Sequence, residues 1–303
     1  MGSPYAILIA TRNRPSELEK LLLSISELTF PPKNVIIVSS GVSISPTLTK
    51  HQDLNIIHQH IEGYGQIRQK MLGITLIPKG VKWILFLDDD LILEKNSTKI
   101  IFSFIDESAD RHIIGIGLAE ASTNPRAAWN PLARRKFGKV TKSGKNIDYA
   151  ASTKAITTSW LNGASIWKRE YVNHYKFEFL ESRYSICEDL IFSYSMSKLG
   201  QLIFLPNAKF QFQANVENQF YNEEVFRARA YWKFHFVRMF SDLSISQFLL
   251  SQGLSTLSFV LRKQKSRDSF PIRLRMGTQI MIDLLVNSVK DTDSVDLLKK
   301  RLN

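Results

Sequence analysis

Three consecutive aspartates, Asp88-Asp89-Asp90, close the apolar run Trp83-Ile-Leu-Phe-Leu87, a demanding place for charge. Like charges repel, and each carboxylate resists leaving water. A bound divalent cation offsets both costs. Hard oxygen ligands suit Mg2+ or Mn2+, which keep several waters and take a substrate's phosphates as further ligands. The competing reading is a solvated acidic turn. Cys187, the only cysteine, excludes an intramolecular disulfide and a multi-cysteine zinc site, and reads as a small packed residue rather than a nucleophile.

The elements that must position these aspartates follow from the apolar pattern. Tyr5-Ala-Ile-Leu-Ile-Ala10 is a short continuous apolar run that opens into Thr11-Arg-Asn-Arg-Pro15, as a buried parallel strand would. Ser16 with Glu19 forms a capping-box pattern, and Leu18, Leu21, Leu22, Ile25 and Leu28 then recur at helical spacing until Pro31 and Pro32. Val35-Ile-Ile-Val38 breaks at Ser39-Ser-Gly41, Ile56-Ile57 precedes a helix-like stretch from Gln66 to Ile77, and Ile113 to Leu118 gives a fifth run. A helix is expected from Glu188 to Leu199 and a strand at Leu202 to Leu205. Strands alternating with helices predict an α/β fold, with a mostly parallel sheet covered on both faces. Ligands of such sheets bind at the carboxyl ends of strands, where Thr11 to Arg14, Ser39 to Gly41 and Asp88 to Asp90 all fall.

The chain has 303 residues and a formal net charge of +12, which implies attraction to nucleic acid, anionic lipid or a phosphate-bearing substrate. Near-average hydrophobic and charged content excludes a disordered chain or a multi-span membrane protein as the default reading. Tyr5 to Ala10 is too short for a signal-peptide core, so a cytoplasmic location is expected, with any membrane role peripheral at the inner face. Arg134, Arg135, Lys136, Lys139, Lys142 and Lys145 mark a basic loop, either solvated or a lid over an anionic ligand. Beyond about residue 222 the sequence reads as a basic helical tail. Such a tail packs on the domain, pairs with another subunit in a homo-oligomer, or lies on an anionic membrane surface.

Trp83-Ile-Leu-Phe-Leu-Asp-Asp-Asp90 resembles the strand and Asp-x-Asp motif of the family 2 glycosyltransferases, which have a GT-A fold with a Rossmann-like sheet. That resemblance implies that Asp88 lies near the ribose and the metal, that Asp90 ligates the cation on the diphosphate, and that Asp89 is the variable middle position on the nucleotide-sugar side. Other segments match in the family's order. Ile7 to Arg14 resembles the opening strand and nucleotide loop, making Thr11 and Arg14 candidate donor contacts, with Ser40 at the end of the second strand. Gly63-Tyr-Gly-Gln-Ile-Arg68 resembles a glycine-led helix whose arginine approaches the nucleotide, a surface salt bridge being the other reading of Arg68. Trp160-Leu-Asn-Gly-Ala-Ser165, followed by Arg169, resembles the acceptor-side loop. Trp160, Asn162 and Gly163 are its candidates, since tryptophan stacks on a sugar face and glycine admits close approach; ordinary core packing is the alternative for Trp160. Cys187-Glu-Asp-Leu190 resembles the pair that opens the catalytic helix, with Asp189 as general base beside Glu188.

The sequence departs from the family pattern twice. Ser39-Ser-Gly41 stands where many members carry an acidic residue that recognises the base, and Lys209-Phe-Gln-Phe-Gln213 offers Gln211 or Gln213 where a histidine often completes the metal site. The implied enzyme is an inverting, Mn2+- or Mg2+-assisted hexosyltransferase. It would use a UDP- or dTDP-type nucleotide sugar and a saccharide or glycolipid acceptor, with residues 1–221 catalytic and 222–303 a helical extension. A nucleotidyltransferase is the first rival. A basic nucleic-acid- or membrane-binding module is the second, disfavoured for nucleic acid because the basic residues are dispersed and no recognition motif occurs.

Overall fold

In a computed structural model, residues 3–63, 65–108, 111–121, 138–148, 152–174, 186–213, 223–261, 269–289 and 294–302 are described. Arg134, Arg135 and Lys136 of the basic loop lie outside them. The chain divides into two compact units. One comprises Met1–Lys139, Ile147–Phe179 and Asp189–Val216; the other comprises Val140–Asn146, Leu180–Glu188 and Glu217–Asn303.

The first unit begins with β1 (Tyr5–Arg12), α1 (Pro15–Ser26), β2 (Asn34–Ser40), the single turn α2 (Ser45–Leu48), β3 (Ile56–His60), α3 (Gln66–Thr75) and β4 (Trp83–Asp88). It continues through β5 (Leu91–Leu93), α4 (Ser97–Glu107), β6 (Ile113–Glu120), β7 (Ile156–Thr158), β8 (Ser165–Lys168), α5 (Arg169–Val172), α6 (Glu188–Met196) and β9 (Gln201–Phe212). The strands form one sheet in the order β3-β2-β1-β4-β8-β6-β9-β5, with β7 also on β9. The expected parallel pairing holds for β3-β2, β2-β1, β1-β4 and β6-β9, whereas β8 runs antiparallel to both β4 and β6.

Continuous apolar runs become strands buried on both faces because α1 and α4 cover one side and α3 packs on β1 and β2. Leu18, Leu21, Leu22 and Ile25 of α1 lie in the same core as Ile7, Ile9, Leu85 and Leu87. Each such side chain, removed from water, contributes roughly 1.5–3 kcal/mol before entropy is counted. Tyr5, Phe30 and Phe102 pack as an aromatic trio, and Tyr5 Oη donates to the Phe30 carbonyl at 2.6 Å.

Two local expectations change. The capping box is not formed: Pro15 occupies the first turn of α1, Arg14 is the cap residue, Ser16 donates to Glu17, and Glu19 pairs with Lys50 at 2.8 Å. Proline's fixed φ starts the helix two residues earlier than the Ser16 signal implies. β9 is also longer than its apolar stretch, because its polar end pairs with β5.

The second unit is helical: α7 (Glu223–Met239), α8 (Ile245–Leu261), α9 (Ser269–Val289) and α10 (Ser294–Leu302). Val140–Asn146 packs with these helices. A side chain at Gly144 would meet Val237, the Ser244 N–H donates to the Lys142 carbonyl at 2.7 Å, and Lys233 Nζ approaches Asn146 Oδ1 at 3.5 Å. Among the described residues, no helix is long and apolar enough to cross a membrane.

Candidate active site

Parallel pairing brings three loop mouths level. Thr11 and Arg12 of β1 lie opposite Ser39 and Ser40 of β2, and Ala10 lies opposite Asp88 of β4. Asn13 then takes a left-handed conformation, φ 56°, and its Oδ1 accepts the Val42 N–H at 2.9 Å. Gly41 leaves the room that this side chain needs, since a β-carbon there would overlap the Asn13 amide.

The acidic turn is held from two sides. Thr11 Oγ1 donates to Asp89 Oδ2 at 2.7 Å, while Arg14 Nη1 lies 3.0 Å from both Asp89 Oδ1 and Asp90 Oδ2. Burial works against the charge of Arg14, but the carboxylates of Asp89 and Asp90 outweigh it and raise its pKa. Burial likewise raises the Asp89 pKa, against the hydrogen bond from Thr11 and the charge of Arg14. Asp89, expected on the nucleotide side, thus has both oxygens engaged within the protein.

Asp88 faces a different set of groups. Gln66 Nε2 donates to its Oδ1 at 2.5 Å, and Lys70 Nζ, one turn further along α3, stands 3.9 Å away. The same ammonium lies 3.5 Å from Asp189 Oδ1 on α6. Lys70 is 1 % exposed, whereas the Asp88 and Asp189 side chains keep 35 % and 36 % of their surface, so solvent reaches the carboxylates but hardly the ammonium. Gly163 closes the group: a β-carbon there would lie 2.8 Å from Asp88 Oδ2 and 3.2 Å from Asp189 Oδ2. Burial pushes the Asp88 pKa up to about 6; Lys70 opposes the rise, and the carboxylates of Asp189, Asp90 and Asp89 add to it.

The structure therefore brings together Thr11, Arg14, Asp88, Asp89, Asp90, Gly163 and Asp189. Ser40 is buried, 3.4 Å from the Gln69 amide that also ties the Thr11 and Val38 carbonyls. Arg68 is exposed on α3, and Glu188 is buried at the start of α6. Asn162 Nδ2 donates to the Leu118 carbonyl at 3.3 Å, and Trp160 is partly buried against Ala119 and Phe204 with its Nε1 donating to Ile147. Arg169 binds the carbonyls of Ile77 and Pro78, beyond the amino end of β4. A cavity of about 530 Å3 opens at that end, lined by Trp83, Lys168, Arg169 and Glu170 among others, and none of Asp88, Asp89, Asp90 and Asp189 lines it.

Gln66 and Lys70 are absent from the sequence-derived candidates. Their spacing of four on one helix was the available signal, but a lysine in an amphipathic helix ordinarily reads as a solvated face. At the mouth of β2, Ser39 Oγ meets His58 Nε2 at 2.8 Å and His60 Nδ1 at 3.1 Å, and burial, then His60, lowers the His58 pKa.

Among the described residues, no three His, Cys, Asp or Glu side chains gather as a ready metal cage. The charge balance nevertheless fits a divalent cation. Among the described residues, Asp88, Asp89, Asp90 and Asp189 pair with the cations Arg14 and Lys70, four carboxylates against two positive charges. Mg2+ or Mn2+ held by one or two carboxylates, with phosphates and water completing the shell, matches that donor set. Gln213 adds a neutral oxygen. Its Nε2 donates to the carbonyls of Glu17, Asp89 and Leu91, while its buried Oε1 has no hydrogen-bond partner among the described residues.

The model of the glycosyl transferase family 2 matches residues 6–163. No curated protein matches at a significant level. Among solved structures, residues 1–349 of S. aureus TarS are 17% identical, with a TM-score of 0.55 over 98% of this chain and 90% of that one. The same fragment in complex with UDP-GlcNAc gives 0.57 at 15% identity over 98% and 90%. The mannosyltransferase PcManGT from Pyrobaculum calidifontis, in complex with GDP-Man and Mn2+, gives 0.56 at 13% identity over 99% of this chain and 79% of that one. At these identities the likeness shows a shared fold.

Proposed function

The chain belongs to glycosyl transferase family 2 and is a glycosyltransferase, and from that premise we propose inverting transfer of a hexose-like sugar from a nucleoside diphosphate to a hydroxyl of a saccharide or glycolipid acceptor. One observation carries this reading: Asp189 and the acidic turn at Asp88, distant in sequence, face each other across Gly163 and share the Lys70 ammonium.

Asp189 acts as general base, taking the acceptor proton as the hydroxyl oxygen attacks the anomeric carbon opposite the departing diphosphate. Lys70 holds Asp189 and Asp88 at fixed distances and limits their mutual repulsion. Gly163, lacking a side chain, keeps the space between the two carboxylates open for the reacting groups. Arg14 orients Asp89 and Asp90 and adds positive charge beside the diphosphate. Asp88 and Asp90 would hold the divalent cation, with Gln213 rather than the exposed Gln211 as the neutral donor. When bound, that cation neutralises charge developing on the leaving diphosphate.

UDP or dTDP sugars are the donors of this reading. Measuring nucleoside diphosphate release from a panel of nucleotide sugars, with Mn2+ or EDTA, tests it. Metal-independent turnover would remove the cation from the reaction, and release of pyrophosphate from a nucleoside triphosphate would favour a nucleotidyltransferase instead.

Peripheral contact of the helical unit with an anionic membrane belongs to the same reading. α8 exposes Leu250, Leu254, Leu257 and Leu261 in one stripe, and the connecting sequence 262–268 carries four cations and one acid.

A further inference from the structure

In the helical unit, α7, α9 and α10 line a solvent-open groove of about 450 Å3. Arg227 of α7, Arg275 of α9 and Arg301 of α10 all border it, and no acidic side chain lines it among the described residues. Tyr231, one turn beyond Arg227 on the same face of α7, is buried at its wall. The three arginines are held differently. Arg301 Nη2 donates to Asp283 Oδ1 at 2.6 Å, an oxygen that also accepts from Gln279 Nε2 at 3.0 Å, while Tyr231 Oη donates to Asp283 Oδ2 at 2.6 Å. Both oxygens of this buried carboxylate are thereby engaged. Arg301 Nε, also buried, has no hydrogen-bond partner among the described residues. Arg227 and Arg275 are exposed, and neither has a hydrogen bond or ion pair among the described residues.

A buried carboxylate is costly unless it is fully paired, and Asp283 uses its pairs to fix Arg301 and Tyr231 at the groove. A solvated arginine needs no such anchor. We propose that this groove binds a phosphate group, carried by a lipid headgroup or by a soluble phosphoester, at a site separate from the sugar donor of the acidic turn. Planar guanidinium groups present paired donors that match phosphate oxygens. A carboxylate offers two oxygens, which one fork satisfies. A phosphate monoester offers three acceptor oxygens and close to two negative charges, which engage Arg227, Arg275 and the free Nε of Arg301 together. The exposed Ile272 and the partly buried Met276 give the groove an apolar side for carbon attached to the phosphate.

The environment of Tyr231 agrees with this geometry. Burial raises its pKa, and the hydrogen bond and charge of Asp283 add to the rise; Arg301 and Arg227 act against it. The phenol therefore stays a neutral donor to Asp283, and the field of Arg227 reaches the wall of the groove as well as the solvent.

Thermal unfolding of the full chain in EDTA tests the proposal, with inorganic phosphate titrated against sodium chloride at matched ionic strength. Phosphate raises the Tm of the wild type at millimolar concentration. Arg227→Gln combined with Arg275→Gln, both at exposed positions, leaves the protein folded and weakens the phosphate response by about tenfold or more. Lys299→Gln combined with Lys300→Gln removes as many charges from exposed positions of α10 outside the groove, and its response equals that of the wild type. A wild type that does not respond, or a lysine pair that loses as much as the arginine pair, overturns the proposal. Sedimentation with phosphatidylcholine vesicles containing phosphatidic acid then identifies the carrier. Loss of vesicle binding in the arginine variant assigns the phosphate to a lipid; vesicle binding equal to that of the wild type, or absent from both, assigns it to a soluble phosphoester. Manganese-dependent donor binding, measured in parallel, is unchanged by either pair of substitutions.

Discussion

Lys70 Nζ lies 3.5 Å from Asp189 Oδ1 and is nearly sealed from solvent, so one ammonium of α3 ties the start of α6 to the end of β4. Replacing it by methionine keeps the volume and leaves two facing carboxylates without their shared counter-charge. Loss of one partner from a fully buried pair costs about 3–5 kcal/mol. Both carboxylates are about one-third exposed, and water screens them, so about 1–2 kcal/mol is expected here. Urea unfolding of Lys70→Met measures it, and an unchanged midpoint removes Lys70 as the link.

Asp189→Asn keeps the shape of the side chain and removes the proton acceptor. Turnover should fall by about 10²–10⁴, the usual worth of a positioned base, while donor affinity changes little. Steady-state kinetics beside calorimetric donor titration separates the two quantities. Normal kcat in this variant excludes Asp189 from proton transfer.

Gly163→Ala places a methyl group 2.8 Å from Asp88 Oδ2, closer than real β-carbons come, and 3.2 Å from Asp189 Oδ2. One carboxylate must turn away. The expected result is at least a tenfold loss of kcat with a stability change below about 2 kcal/mol, because the displaced groups already reach solvent. Full activity would show that the space between the carboxylates is not used.

These residues differ in how far the sequence discloses them. β1, β2 and β4 were legible because strands buried on both faces are written as unbroken apolar runs, and Asp88 to Asp90 stood out by interrupting one. Asp189 was reached through motif order, since an acidic pair at a helix start has no distinctive spacing of its own. Lys70 was hidden because its burial comes from β4 and α6, which no local pattern encodes. Ser39 was hidden too: its partners His58 and His60 lie on a neighbouring strand, and only the register of β2 on β3 brings them within reach. The early start of α1 was missed because Pro15 outweighs the weaker serine signal.

The raised pKa of Asp88, about 6, carries a definite sign for the metal-free protein. Between its ordinary pKa near 3.8 and about 6, the folded state binds more protons than the unfolded state, so stability falls as pH rises through this window and levels off above it. In EDTA, the Tm of the wild type should decline across that range relative to Asp88→Asn, which lacks the group. Mn2+ requires the ionised carboxylate, so its stabilising effect grows with pH over the same interval. Parallel profiles for wild type and variant would refute the assignment.

The exposed stripe of α8 gives the last prediction. Ile245–Leu261 contains no charged residue, and Leu250, Leu254, Leu257 and Leu261 project from one side. A coiled-coil seam is normally flanked by charges that fix register, and two copies of a chain with net charge +12 repel. Apolar side chains next to a cationic sequence instead match an anionic lipid surface, where each nearby lysine or arginine contributes about 1 kcal/mol. The protein should therefore sediment with phosphatidylglycerol vesicles, release in high salt, and ignore phosphatidylcholine vesicles. Leu254→Glu combined with Leu257→Glu adds two charges to the apolar side and should abolish sedimentation without changing turnover of a soluble acceptor. If the double variant still binds vesicles, or if it converts a dimer to a monomer in analytical ultracentrifugation, the stripe is not a membrane face.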